Sequence, residues 1–238
     1  MAGGLGSRLG DLTQATPKPL LPVAGRPFLA YLLDWLARAG LEEIIVSTGY
    51  LADSFSAFLA TMSWRDPYGR PIRIAEAKEN TSAGTAGALA LMGERLEERF
   101  LVVNGDTLFD CDLVGIIAAA EQMPRGSMLL TVREVEDTGR YGRVDAQEGG
   151  RIVRFAEKSG GGPGPIYAGI SVLDRSVLDL IESVPFSLER DVYPRLVEEG
   201  RLFATQQSGY FIDIGLPETY GRAQTELPAG DLSLPKMP

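Results

Sequence analysis

Residues 26–49 read RPFLAYLLDWLARAGLEEIIVSTG, and this stretch decides the fold. In RPFLAYLLDWLARAG the apolar residues recur at helical spacing, with Pro27 near the start and Gly40 just past the end. EEIIVSTG is a short β-branched run stopped by Gly49, the pattern of a buried strand. Helix then strand is the repeating unit of a layered α/β protein. Downstream the unit recurs: PIRIAEA (71–77) alternates as a strand, GTAGALALMGERLEE (84–98) reads as a helix of small residues, and RFLVVNGD (99–106) is a continuous apolar strand ended by Asn104-Gly105. The expectation is an α/β fold with a mixed, mostly parallel central sheet and helices on both faces.

The second half is less regular. SMLLTVREV (127–135), RIVRFAEK (151–158) and PIYAGISVLD (165–174) read as strands with fewer helices between them. SGGGPGP (159–165) reads as a loop between neighbouring strands rather than a linker between domains. FSLERDVYPRLVEEG (186–200) reads as a helix interrupted near Pro194. The tail LPAGDLSLPKMP (227–238) has no periodicity and is expected to fray.

Composition narrows the chemistry. The 238 residues carry a net charge of −9, so the surface as a whole repels nucleic acid and anionic membrane. Any phosphate site must then be a local basic pocket. The chain has no histidine, and Cys111 is its one cysteine. Ser-His-Asp and Cys-His catalysis, His-ligated metals, cysteine zinc sites and intrachain disulfides are all excluded. Carboxylates, lysine, arginine and oxygen-ligated hard metals remain. No apolar run approaches the ~18 residues of a membrane span, and the glycine-rich N-terminus is not a signal peptide. The expected compartment is the cytoplasm.

The opening MAGGLGSRLG packs Gly3, Gly4 and Gly6 ahead of Arg8. Glycines let a backbone turn tightly so that successive N–H groups can cradle an anion. It is neither a Walker loop nor a Rossmann fingerprint, since no Gly-Lys-Ser/Thr follows and Leu9 stands where a third glycine would be. A glycine cluster alone is more often a plain turn; Arg8 favours phosphate. In TPKPLLPVAGRP, Lys18 sits between Pro17 and Pro19, which stiffen the backbone and aim its charge. Asp106 ends FLVVNGD and Asp213 ends the apolar part of GYFIDIG, each where a strand delivers it to the carboxyl edge of a sheet. Two carboxylates there suit Mg²⁺, which takes one or two carboxylates plus substrate phosphates. Asp110 and Asp112 fit helix capping better. Glu157 and Lys158, at the end of RFAEK, could contact one ligand together or be an exposed charge pair.

In this order, AGGLGSRL, PKPLLPVAGRP, AGTAGAL, VVNGDTLFD, GRYGRV, FAEK, YAGI and YFIDIGLPETY resemble the sugar-1-phosphate nucleotidyltransferases. The likeness runs to about Gln224. FSLERDVYPRLV and GYFIDIGLPETYGRAQ are most similar to the D-glycero-α-D-manno-heptose 1-phosphate guanylyltransferases. The resemblance implies a three-layer α/β/α Rossmann-like domain over residues 1–226, with a nucleotide-binding half to about residue 110 and a sugar-binding half beyond it. It implies that Gly3, Gly4, Gly6, Arg8 and Lys18 hold a triphosphate, and that Gly84 and Thr85 lie near the base. Asp106 and Asp213 would bind Mg²⁺, with Arg8, Lys18 and Asp106 in the catalytic set. Gly142, Glu157, Lys158 and Gly169 would contact the sugar phosphate. The expected reaction transfers a nucleoside monophosphate from a triphosphate to a sugar 1-phosphate, with GTP and a manno-heptose 1-phosphate first. Mannose, glucose or N-acetylmuramate 1-phosphate with GTP, UTP or dTTP is the alternative, and a nucleotide-sugar sensor without turnover the rival of another class. The expected partners are these small molecules, with no nucleic acid, no membrane, and self-association into a homo-oligomer left open. The resemblance also implies an apolar strand ahead of the glycine loop. The natural protein is therefore expected to start several residues upstream of Met1, unless the tail or a partner chain fills that slot.

Overall fold

The computed structural model describes residues 1–4, 6–79, 81–156 and 161–227. In chain order the elements begin with β1 (Pro22–Val23), β2 (Arg26–Pro27), α1 (Phe28–Ala37), β3 (Glu43–Thr48), α2 (Ala52–Ala60), β4 (Trp64–Arg65), β5 (Pro71–Lys78) and α3 (Gly84–Leu91). They continue with β6 (Arg99–Val103), β7 (Thr107–Phe109), α4 (Leu113–Glu121), β8 (Met128–Val135), β9 (Arg143–Ala146) and β10 (Ile152–Ala156). The last are β11 (Gly164–Asp174), α5 (Tyr193–Glu198), β12 (Leu202–Gln206), β13 (Phe211–Asp213) and α6 (Pro217–Glu226). They group into two compact units, each discontinuous in sequence. One joins Met1–Ser82, Asn104–Asp110 and the chain from Gly209; the other joins Ala83–Val103 and Cys111–Ser208.

In the first unit, β3 and β5 pair in parallel in the register Glu43↔Arg73 to Thr48↔Lys78, and β4 adds to β5 antiparallel. The helix read at 26–40 is α1. Pro27 stands at its N-cap, and Gly40 takes φ +72 just beyond its end, a left-handed turn that favours glycine. Nine of its ten side chains are buried, so α1 is apolar nearly all round rather than striped. Its one polar residue, Asp34, accepts from the Trp64 indole at 2.9 Å and pairs with Arg26 at 2.6 Å. β7 and β13 pair antiparallel, Thr107 opposite Asp213, with Phe109 and Phe211 edge to face at 5.7 Å.

The second unit is built on β11. Its eleven residues pair antiparallel with β8, with β6 and, at Ile166, with β9; β10 extends β9, and β12 lies parallel to β8. β6 belongs here because Arg99–Val103 pairs with Ile170–Asp174. The register of β11 against β8 shifts between Tyr167 and Ser171, where Gly169 holds φ +78. Asp112 caps α4 as expected, accepting from the Gly115 N–H at 2.9 Å. Asp110 does not cap: it precedes the cap position, and its own N–H donates to Tyr210 O. α4 lays Ile116 and Ala120 on Leu129 of β8 and Val172 of β11.

Two helices differ from the sequence reading. α3 ends at Leu91, and Gly93 opens a separate 3₁₀ turn, because glycine breaks the run of small residues. In 186–200 the chain makes a π-turn over Leu188–Val192 and then α5, with Pro194 in the first turn of α5, where its missing N–H leaves no bond broken. The tail from residue 228 lies outside the described residues.

Candidate functional site

The glycine loop is threaded into the first unit by backbone bonds on both sides. The Ala2 N–H donates to Ser47 O of β3 at 2.9 Å, and the Gly105 N–H donates to Met1 O at 2.8 Å. A Cβ on Gly105 would meet Met1 O at 2.6 Å, and one on Gly49 would meet Gly3 O at 3.2 Å. Both strand-end glycines therefore allow this close approach. Gly6, at φ +66, opens the 3₁₀ turn Ser7–Thr13, and its carbonyl accepts from the Leu9 N–H and the Thr13 hydroxyl. A Cβ on Gly6 would lie 3.2 Å from Cβ of Lys18, so the loop rests on the lysine stem. Gly4 differs: it is exposed, and a Cβ there would meet nothing within 4 Å. Arg8 is exposed on the same turn.

Lys18 leads a short 3₁₀ turn in which Leu21 N–H donates to Lys18 O at 3.1 Å. Its ammonium meets Asp106 Oδ2 at 2.6 Å, with the two side chains 15% and 31% exposed. Burial pushes the Asp106 carboxyl up, but the Lys18 charge, its hydrogen bond and the Thr107 hydroxyl together hold it below the usual carboxylate range. Asp106 O accepts from the Ile214 N–H at 2.9 Å, which ties the Asp106 turn to the segment after Asp213. Asp213 itself accepts from the Gly215 N–H at 3.0 Å. Gly3, Gly4, Gly6, Arg8, Lys18, Asp106 and Asp213 thus share one unit, assembled from three separate stretches of chain.

The donor set fits a hard cation. Asp213 ends β13 and Asp106 stands just before β7, the strand paired with it, and the chain has no imidazole to compete. Among the described residues no group of three or more His, Cys, Asp or Glu side chains that could hold a metal ion occurs.

One residue of this unit escaped the sequence reading. Glu79 follows β5, and its Oε1 accepts from the Ser47 hydroxyl at 2.9 Å. The same oxygen lies 2.7 Å from where a Cβ on Gly3 would stand. A carboxylate thus backs the glycine loop. Its signal was the position of Glu79 just past an alternating strand, the same rule that picked out Asp106.

The second unit holds the remaining expected residues. Gly84, at φ +74, opens α3 against the 186–188 backbone: a Cβ there would meet Phe186 O at 2.5 Å, and the Thr85 hydroxyl accepts from the Leu188 N–H at 2.8 Å. Both residues therefore hold the entry to the π-turn. Gly142 O accepts from the Tyr167 N–H, and a Cβ on Gly142 would strike the Phe155 ring at 2.9 Å. Phe155, Tyr167 and Tyr193 pack edge to face at 5.2 to 6.3 Å. The Tyr167 and Tyr193 hydroxyls meet at Ser171. Burial pushes Tyr167 up to about 12 and raises Tyr193 well above the usual phenol range, so both stay neutral at any working pH. Gly169 lies in the bulge between Tyr167 and Ser171. Glu157 and Lys158 lie outside the described residues.

The Nucleotidyl transferase family matches residues 1–230. The chain is 34% identical over 97% of its length to mannose-1-phosphate guanylyltransferase of Mycobacterium tuberculosis, and 32% identical over 92% to mannose-1-phosphate guanyltransferase beta-B of Xenopus laevis. It spans 64% and 61% of the length of these two relatives. Among solved structures, HddC from Yersinia pseudotuberculosis is similar at TM-score 0.80 and 31% identity, covering 95% of this chain and 96% of that one. A second structure of HddC, complexed with GMP-PN, matches at TM-score 0.79 and 30% identity over the same shares. A matched family over nearly the whole length, with its fold neighbours, carries one conclusion: the chain belongs to the nucleotidyl transferase family.

Proposed function

We propose that the protein transfers a guanylyl group from GTP to a manno-heptose 1-phosphate, releasing pyrophosphate. The observation that carries the reading is the Lys18–Asp106 pair seated under Gly6 of the glycine loop, an aimed cation beside a strand-end carboxylate in a protein of net charge −9. A phosphate oxygen of the sugar 1-phosphate attacks the α-phosphorus, and the bond to the β-phosphate oxygen breaks in line. The nucleophile's second pKa is near 6, so it is already mostly dianionic at neutral pH. No general base is needed, in keeping with a chain that lacks histidine. Lys18 and Arg8 bind and orient phosphate oxygens, and loop N–H groups add donors where negative charge gathers. Asp106 and Asp213 would hold Mg²⁺, which supplies charge neutralisation between phosphate oxygens when bound.

Glu79 bears on base choice. A carboxylate repels phosphate, so at the back of this loop it suits N–H donors. Guanine offers two side by side, the ring N1–H and the amino group on C2, which one carboxylate can accept together. The heptose rests on the likeness of FSLERDVYPRLV and GYFIDIGLPETYGRAQ. Mannose 1-phosphate is the second reading, favoured by the names of the curated relatives. No described helix is long and apolar enough to cross a membrane, and we place the reaction in the cytoplasm. The test is pyrophosphate release across a panel of triphosphates and sugar 1-phosphates with Mg²⁺. GTP with the manno-heptose phosphate should give the highest kcat/KM. No release from any pair would overturn the reading, and a best pair with another sugar would overturn its heptose part.

A further inference from the structure

We propose that Gln224, on α6, is a positioning residue for the Lys18 loop, acting through a strained hairpin turn at Ala24. The inference rests on the reading of Lys18 as a triphosphate ligand. β1 and β2 are joined by two residues, with Val23 opposite Arg26. Ala24 takes φ +47 and Gly25 φ +81, so both central residues are left-handed, the mark of a type I′ turn. Glycine adopts this conformation freely. Alanine does not, because its Cβ crowds the neighbouring backbone, and such a residue persists only where its surroundings hold it.

The hold comes from α6. The Ala24 N–H donates to Gln224 Oε1 at 2.9 Å, and Gln224 Nε2 donates to Pro22 O at 2.8 Å. The Tyr220 hydroxyl, one helical turn earlier, donates to the same Pro22 O at 2.7 Å. On the other flank Tyr31 of α1 donates to Val23 O and the Phe28 N–H donates to Leu21 O. Gln224 thus commits its acceptor and its donor to two backbone groups of one turn, some two hundred residues away in sequence. Neither Glu, which has no donor, nor Leu, which has neither group, can do both.

Geometry then links the turn to the phosphate residues. Pro22 follows Leu21, whose N–H closes the 3₁₀ turn on Lys18 O. Asp213 ends β13, and α6 starts at Pro217. One rigid helix therefore begins just past Asp213 and grips the hairpin just past Lys18. The placement of the lysine relative to the Asp213 segment is set by this grip.

The experiment measures binding of GTP with Mg²⁺ by calorimetric titration, steady-state KM for each substrate, and melting temperature. The variants are Gln224→Leu, Tyr220→Phe, Ala24→Gly and the double variant Ala24→Gly/Gln224→Leu. Gln224→Leu should weaken GTP binding roughly tenfold, the scale of a misplaced phosphate-binding group. The KM for the sugar phosphate should stay within about twofold, since its residues lie elsewhere. Adding Ala24→Gly to Gln224→Leu should recover most of the lost affinity, because glycine takes the turn without the pin. A merely structural role would lower the melting temperature without separating the two substrates. Should Gln224→Leu fail to fold, Tyr220→Phe removes one of the two donors to Pro22 O and should weaken GTP by about threefold. Unchanged GTP affinity in folded Gln224→Leu, or in Tyr220→Phe should that be the folded variant, overturns the inference. So does a double variant no better than the single one. Wild-type protein that binds no triphosphate would sink the transferase reading and this inference together. Wild type that binds, with a Gln224 variant that binds equally well, sinks the inference alone.

Discussion

Gly4 and Gly6 stand two residues apart and answer to different forces. Gly6 is left-handed and pressed against Thr13 and Lys18, so the fold itself demands a residue without Cβ. Gly6→Ala should lose about 1–2 kcal/mol from backbone strain alone, seen as a lower midpoint in urea. Gly4 meets no such demand. Gly4→Ala should unfold within about 0.5 kcal/mol of wild type and, on the proposed reading of the loop, still weaken triphosphate binding, because a methyl group would stand where phosphate is proposed to approach backbone N–H groups. A Gly4→Ala protein that binds GTP as wild type does would remove Gly4 from the site. At Asp106 and Asp213 the expected effect is on turnover. Each Asp→Asn change should lower kcat/KM by roughly two to four powers of ten, the scale of a principal electrostatic group. A folded Asp213→Asn enzyme with near wild-type turnover would take that carboxylate out of the reaction.

At the scale of elements, β11 shows how one carboxylate can end a strand. Asp174 accepts from the Ser176 N–H at 3.0 Å and the Gly126 N–H at 2.9 Å, with Arg99 Nε 4.0 Å away. Burial raises its pKa, and these donors outweigh burial and hold it below the usual carboxylate range. The folded state therefore binds the proton more weakly than the unfolded chain. The stability this contributes is present above the unfolded carboxylate pKa of about 3.9 and is lost as pH falls through the lower folded value. Asp174→Asn turns an N–H donor toward Gly126 or Ser176 and should lose roughly 1–3 kcal/mol at pH 7. In urea titrations from pH 7 to pH 3, the gap to wild type should narrow below about pH 4. A gap that stays constant across that range would mean that charge plays no part. Such partners explain which elements were legible in the sequence. α1 and β3 declare themselves through period and punctuation, as do Asp112 as a cap and the strand ends at Asp106 and Asp213. The short α3 and the π-turn were not legible. Gly84 is set by the Phe186 carbonyl and the π-turn by Thr85, contacts a hundred residues apart that no local pattern records. Glu79 stood within reach of the strand-end rule that picked out Asp106; only its partners, Gly3 and Ser47 on other segments, were out of local view.

For the whole molecule, the expected residues divide between two compact units, and the division can be tested without assuming any arrangement of one against the other. The glycine loop, Lys18, Asp106 and Asp213 belong to the first unit; Gly142 and Gly169, together with Gly84 and Thr85, belong to the second. A ligand stabilises the native conformation it binds by RT ln(1 + [L]/Kd), about 2.7 kcal/mol at a hundredfold excess over Kd. That energy slows hydrogen exchange most where local opening would break ligand contacts. GTP with Mg²⁺ should therefore protect amides in residues 2–21 and 104–110 first. The sugar 1-phosphate alone should protect amides around 142–144 and 166–171. Lys18→Ala should abolish the first pattern and spare the second, and Lys158→Ala should do the reverse. Mass spectrometry of exchanged peptides, with each ligand added separately, reads both patterns in one experiment. If either ligand protects both sets equally, or if Lys18→Ala erases both, the triphosphate and sugar-phosphate contacts do not divide between the units.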